Sequence, residues 1–322
     1  MMVHSKTEPS LEEKGVIIVA KIIECIPNFS LSKERDPEKF QELVDLASGI
    51  PGCSLFDVQS DGNHNRTVFT MLGSPEGIAE AAFALTKKAA ELIDMNQHKG
   101  QHPRMGATDV MPFVPQSADV TLEECVELSR QVAKRIWDEL QIPSFLYEDS
   151  ATRPERRNLA TCRKGEFEGM PEKLQQEDWA PDFGERKIHP TAGIMAIGAR
   201  MPLIAYNVNL DTDDMNVANA IARAIRGSSG GFKYCKAIGV KLEERGIVQV
   251  SMNLVNYEGT PIYYVFEMIR ALADRYGVRI LGSEVVGATP AKALIDCAEY
   301  YLKIENFNCR EQVIEYQLLD MK

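Results

Sequence analysis

The sequence predicts an α+β fold made of two ferredoxin-like (βαββαβ) subdomains with facing sheets and a cleft between them. Three observations carry the prediction. Strand-like and helix-like segments follow a βαββαβ order before residue 149, and the same order recurs after residue 192. The stretch between the two series is polar and holds Pro154, Pro171, Pro181 and Pro190. The 322 residues, 44% hydrophobic and 26% charged, suffice for two domains whose cores need no disulfide or metal staple. The expected division is a flexible N-terminal extension over 1–20, a first subdomain over 21–192 and a second over 193–322.

In the first series Ile22–Pro27 reads as a strand and Pro37–Ser48 as a helix. Cys53–Val58 and Arg66–Leu72 are strands by their β-branched and aromatic content, joined by the polar loop Gln59–Asn65. Ser74-Pro75 sets a capping serine before a proline at the first helical position, and opens an Ala-rich helix to about Ile93. Val110–Val114 closes the series as a strand. Thr121 and Glu124 form a capping box for a helix that ends near Leu140, and Ser144–Tyr147 is a short strand. In the second series Leu203–Leu210 is a strand, Asp213–Ile225 a helix, and Ala237–Lys241 and Ile247–Leu254 are strands. Thr260-Pro261 opens a helix to about Tyr276, Arg279–Val285 is a strand, and Thr289-Pro290 opens a closing helix.

Composition excludes several classes. Acidic residues outnumber basic ones 47 to 36, for a net charge of -11, which argues against a nucleic-acid partner. The seven cysteines are odd in number, widely spaced and without CxxC, so reduced thiols in a cytoplasmic protein fit better than a disulfide framework or a zinc site. Glu8, Glu12 and Glu13 argue against a signal peptide, and the short run Val16–Ala20 reads as an early strand. No uncharged apolar run approaches the roughly 18 residues a membrane span needs. Gly227-Ser228-Ser229-Gly230-Gly231 fits GxSxG, yet it follows a helix and precedes a strand, the reverse of a nucleophile elbow. No Walker A or GxGxxG occurs.

The chemically densest segment is the long loop from Ile93 to Asp109, with His98, His102, Arg104 and Asp109. A histidine there suits general acid/base work because its pKa lies near neutrality, and Asp109 or a backbone carbonyl can orient it. The bland alternative is a polar loop that these side chains stabilise. A third is a metal-dependent hydrolase using His98 and His102, but Gly100 and Pro103 oppose a regular helix and HExxH is absent, so no metal is expected. Arg66, at the end of the polar loop from Asp61, can clasp a carboxylate through two parallel hydrogen bonds, or it belongs to an ordinary hairpin turn. The segment Trp179–Gly193 offers stacking groups in Trp179 and Phe183 and small residues for close approach to a flat ligand, or it is a plain linker. Arg153, Arg156, Arg157, Arg163 and Lys164 read as a solvated helix face before an anion site.

Several segments resemble the formiminotransferase family, the folate-dependent enzymes of histidine breakdown. They are Glu24-Cys25-Ile26-Pro27-Asn28-Phe29-Ser30, Asn65-Arg66-Thr67-Val68, Leu92-Ile93-Asp94-Met95 and, above all, Gly100-Gln101-His102-Pro103-Arg104-Met105-Gly106-Ala107-Thr108-Asp109-Val110. Pro171-Glu172-Lys173-Leu174, Trp179-Ala180-Pro181-Asp182-Phe183-Gly184, Ala205-Tyr206-Asn207-Val208-Asn209-Leu210 and Gly282-Ser283-Glu284-Val285-Val286-Gly287 continue the match across residues 22–300. Two places depart from the family pattern: Leu31-Ser32-Lys33 follows Ser30 where members often have Glu-Gly, and Gln101 stands where many have Glu.

The resemblance implies a folate tunnel between the sheets, a homodimer, and His102 as the catalytic acid/base. It implies that Gly184, Glu185, Arg186, Lys187, Ile188, His189, Pro190, Thr191, Ala192 and Gly193 contact the folate. The implied reaction moves a formimino group from N-formimino-L-glutamate to N5 of tetrahydrofolate, a co-substrate, with no metal. Arg66 and Arg104 are the candidates for the substrate carboxylates, and Asp109 for the support of His102. The chain ends at Lys322, so a separate cyclodeaminase is expected to act downstream. Two other readings use the same site: formyl transfer between 5-formyltetrahydrofolate and glutamate, and folate binding without catalysis.

Overall fold

The computed structural model describes residues 21–117 and 119–320; the expected extension over 1–20, with its Val16–Ala20 run, lies outside them. Helices pack on two sheets, one in each half of the chain, which is the α+β class. The first strand is split into β1 (Ile23–Cys25) and β2 (Asn28–Phe29), because Pro27 has no N–H for a ladder. Then come α1 (Pro37–Ser48), β3 (Cys53–Asp61), β4 (Arg66–Gly73), α2 (Pro75–Leu92) and β5 (Thr108–Pro115). Ser74 caps α2 by accepting from the Gly77 N–H. The order across the sheet is β3, β4, β1 with β2, then β5, all antiparallel.

α3 (Leu122–Leu140) begins at the Thr121/Glu124 capping box, which is formed in full. β6 (Ser144–Glu148), α4 (Leu159–Arg163), α5 (Glu166–Lys173) and β7 (Met195–Ala199) complete the first half. The sequence reading missed β7: Met195-Ala196-Ile197-Gly198-Ala199 is a short unbroken apolar run with one β-branched residue and no alternation. It lies parallel between β5 and β6 with all five residues buried. Residues 195–199, which the expected boundary assigned to the second half, therefore belong to the first sheet.

The second half contains β8 (Ile204–Leu210), α6 (Met215–Ile225), β9 (Cys235–Leu242), β10 (Ile247–Leu254), α7 (Ile262–Arg275), β11 (Ile280–Val286) and α8 (Ala291–Leu302). Its antiparallel order is β11-β8-β10-β9. Ile204, Tyr206, Val208 and Leu210 point to the helices, while Asn207 and Asn209 alternate to the other face. There Gln249 donates to Asn209 Oδ1 at 2.9 Å and to Glu284 Oε1 at 2.7 Å.

Strand parity places the site. On β4, Thr67, Phe69 and Met71 are buried, the last two in the main core with residues of α1, α2 and α3. Arg66, Val68, Thr70 and Leu72 form the opposite row. One part of that face meets the second half across a cleft of about 360 Å³, lined by Glu24, Val68, Thr70, Arg200, Ala205 and Pro290 among others. Another part is covered by α4 and α5, which pack Cys162 and Met170 on Val110, Phe145 and Ala196.

Candidate active site

The loop bearing His102 is fixed from both sides. The tip of the β3–β4 hairpin supports one side: Gln101 N donates to Asn63 O at 3.2 Å, and Asn65 Nδ2 to Lys99 O at 3.0 Å. Gly100 sits so close to this tip that a Cβ would lie 2.3 Å from His64 O. The segment 184–193 supports the other side. Met95 N donates to Thr191 O and Ala107 N to Ala192 O, both at 2.9 Å, and Gly106 bridges Gly193. Gly193 needs its φ of +74°, and a Cβ there would meet Met105 O at 2.3 Å. Ser30 Oγ donates to Gly106 O at 2.7 Å. The segments singled out in the sequence thus converge on one place.

At that place His102 is 5% exposed, and its Nε2 lies 3.2 Å from Asp109 Oδ2. Asp109 is wholly buried at the start of β5, and its Oδ1 accepts from Met105 N at 2.9 Å. Oδ2 also accepts from Arg163 at the end of α4, through Nε at 2.9 Å and through Nη2. Burial pushes the Asp109 carboxyl up, but the charge of Arg163 and the hydrogen bonds from His102 and Arg163 outweigh it and hold the group below its ordinary value. Arg66 reaches the same neighbourhood from the β4 row. Burial lowers its pKa, Arg163 lowers it further, and its buried Nε has no hydrogen-bond partner.

Two sequence expectations change here. Arg104, a candidate for a substrate carboxylate, is 5% exposed and is hydrogen-bonded within the protein. Its Nη1 donates to Glu166 at 2.8 Å and Glu168 at 2.9 Å, its Nη2 to Glu168 at 2.6 Å, and its Nε to His98 Nδ1 at 3.1 Å. It ties the His102 loop to α5. His98 spends its other nitrogen on Asn65 O at 3.0 Å, and burial lowers its pKa, so it serves as a neutral bridge within the loop. The second change concerns the basic run. Arg157 and Lys164 are exposed, but Arg156 is 1% exposed and paired with Asp182, and Arg163 is turned inward to Asp109. Arg163 is the site residue that sequence reading missed. It sits on a five-residue helix in a polar stretch, and its partner lies 54 positions away.

The segment 184–193 lies against the same loop. Gly184, with φ +110°, abuts Pro143 and Trp137, and Arg186 pairs with Glu177. Ile188 packs on the core. His189 Nδ1 accepts from Ala192 N at 3.0 Å, and Pro190 O accepts from Asn96 Nδ2 at 2.9 Å. Lys173 closes the cover. Its ammonium donates to Thr161 O and Cys162 O at 2.7 Å and to Lys164 O at 3.1 Å, and lies 3.8 Å from the Trp179 ring centre. Burial brings its pKa down to about 8.

Known proteins show the same pattern. Residues 22–200 match the family model of the formiminotransferase domain, N-terminal subdomain, and residues 205–319 that of the formiminotransferase domain. A Streptococcus pyogenes protein named glutamate formimidoyltransferase is 62% identical over 94% of this chain and 100% of its own length. One of the same name from Thermoplasma acidophilum is 45% identical over 89% of this chain and 94% of its own length. A Dictyostelium discoideum formimidoyltransferase-cyclodeaminase is 42% identical over 92% of this chain but only 56% of its own length. With both halves matched in order, and with relatives this similar along their whole length, the chain belongs to the formiminotransferase domain family.

Proposed function

We propose that this protein is a glutamate formimidoyltransferase that moves the formimino group from N-formimino-L-glutamate to N5 of tetrahydrofolate. The observation that carries the reading is the buried His102–Asp109 pair, set where the hairpin tip, the His102 loop and the 184–193 segment meet. The full-length likeness to proteins of that name supports it. Gly184–Gly193 is the proposed folate contact. Its tight turn at Gly193 and its close packing on Gly106 set the segment against the loop that carries His102.

In the proposed reaction N5 attacks the amidine carbon and a tetrahedral intermediate forms. With Nε2–H donating to Asp109, Nδ1 of His102 is the nitrogen left to take the proton from N5. The same nitrogen returns a proton to the glutamate nitrogen as the carbon–nitrogen bond to it breaks. Proton transfer of this kind contributes roughly 10²–10⁴-fold. Holding two substrates together supplies much of the rest. Arg66, with its unpartnered Nε, is the proposed clasp for a substrate carboxylate. The product would pass to a separate cyclodeaminase. A homodimer in the cytoplasm, with subdomains meeting between 200 and 205, completes the proposal.

The test is a two-substrate assay of wild type and His102→Ala, with folate binding measured in parallel. The variant should lose most turnover and bind folate nearly as well as wild type. A His102→Ala protein with full activity sinks the assignment.

A further inference from the structure

We infer that Arg163 is a positioning residue for this transfer: by clamping Asp109 it fixes the orientation of His102 and sets the charge the imidazole faces. The inference rests on the assignment of His102 proposed above. Its basis is a convergence of donors on one oxygen. Asp109 Oδ2 accepts from His102 Nε2 at 3.2 Å, from Arg163 Nε at 2.9 Å and from Arg163 Nη2. Asp109 is 0% exposed, so these partners, with Met105 N on Oδ1, carry its solvation.

A buried Asp–His pair without such a clamp has two ways to fail as a base. The carboxylate can favour the imidazolium so strongly that the ring stays protonated. Alternatively burial can protonate the carboxyl, and the acceptor that orients the ring is lost. A guanidinium on the same oxygen opposes both outcomes. It keeps Asp109 ionised and offsets the negative charge felt by the ring.

Among the described residues no other permanent cation is paired with that oxygen. Arg104, on the His102 loop, is matched by Glu166 and Glu168 of α5. His98, on the same loop, uses both ring nitrogens, and the Tyr147 phenol of β6 is held neutral by burial. Arg66 of β4 makes no ion pair with Asp109 among the described residues, and its charge, felt by Asp61, Asp109 and Arg163, acts from farther away. Arg163 is also held for the task. Lys173 binds the carbonyls at the end of α4, Thr161, Cys162 and Lys164, and so pins the backbone from which Arg163 reaches inward.

The test is the pH dependence of kcat/KM for wild type, Arg163→Gln and Arg163→Lys with N-formimino-L-glutamate and tetrahydrofolate, alongside circular dichroism and tetrahydrofolate binding. Arg163→Gln should lower kcat by roughly 10²-fold, the scale of one acid/base group. Its acid limb should move up by about two to three pH units, the effect of removing a unit charge about 4–6 Å away at an effective dielectric of about 20. Tetrahydrofolate affinity should stay within about threefold. Arg163→Lys should return the limb towards the wild-type position, since the charge is kept, while kcat stays below wild type because the two-point clamp is lost. An unmoved acid limb in Arg163→Gln overturns the inference, whatever its kcat. If that variant does not fold, Arg163→Lys is read alone, and an unchanged kcat overturns it. A wild type that transfers no formimino group defeats the proposed function instead. The NMR titration of the His102 ring, wild type against Arg163→Gln, then still tests the clamp, and identical curves reject it.

Discussion

Replacing Asp182 with alanine should cost about 4 kcal/mol of stability, and the structure shows where that figure comes from. The side chain is 8% exposed and pairs with Arg156, which is 1% exposed. Oδ2 also accepts from Leu146 N at 2.7 Å, and Oδ1 from the Thr152 hydroxyl. Arg156 spends its remaining reach on Asp178 O at 2.9 Å and on Ala180 O. Without the carboxylate a guanidinium stays buried with no counter-charge, which costs about 3–5 kcal/mol. The Leu146 N–H loses its acceptor as well, a loss of about 1–3 kcal/mol that overlaps with the first. Urea unfolding followed by circular dichroism and tryptophan fluorescence reads this directly, since Trp179 lies 6.0 Å from the Arg156 guanidinium. With a slope near 3 kcal/mol per molar, the midpoint should fall by about 1.3 M. Asp182→Asn keeps an acceptor for Leu146 N and should lose about half as much. A loss below about 1 kcal/mol for the alanine variant refutes the reasoning. Because Asp182 N donates to Ser144 O at 3.0 Å just before Gly184, the variant should also raise KM for tetrahydrofolate, measurable in the same preparations.

Other outcomes follow from the same geometry. Gly193→Ala must fit a Cβ 2.3 Å from Met105 O at a positive φ, so it should destabilise by about 2–4 kcal/mol in urea melts and weaken folate binding more than it changes donor KM. Asp109→Asn leaves a neutral group beside Arg163 and should lower kcat by roughly 10²-fold with little change in KM, read from initial rates. Since the Asp109 carboxyl titrates below its ordinary value when folded, the stability it adds is complete above about pH 4 and fades as the pH falls through its folded value. The stability gap between wild type and Asp109→Asn should therefore narrow towards pH 3 in acid titrations. Arg104→Gln should loosen the His102 loop and lower stability, with KM for both substrates rising together; a rise confined to the glutamate donor would restore Arg104 as its carboxylate site.

The predicted elements that stand in the structure are those whose signals are local. The Ser74-Pro75 start, the Thr121/Glu124 box and the β-branched and aromatic content of β4 depend on residues within a few positions of one another, and each element is present. The density of polar groups between Ile93 and Asp109 was visible for the same reason. What stayed hidden is long-range. β7 is a strand because β5 and β6 flank it, and the short apolar run Met195–Ala199 does not by itself name those neighbours. Arg104 and Arg163 are chemically alike in a sequence. Only the fold gives one to Glu166 and Glu168 and the other to Asp109. Arg156 likewise reads as a surface cation until Asp182 is seen beside it.

The place of β7 in the sheet also dictates an order of events at the ribosome. β6 pairs with β7 and with no other strand among the described residues, so from Ser144 onward nascent chain emerges with no edge to join. About 50 residues, including α4 and α5, must wait until Ala199 clears the exit before β7 can slot beside β5 and recruit β6. A polypeptide interrupted before residue 195 would therefore hold His102, Asp109 and Arg163 yet lack the strand that joins β6 to β5.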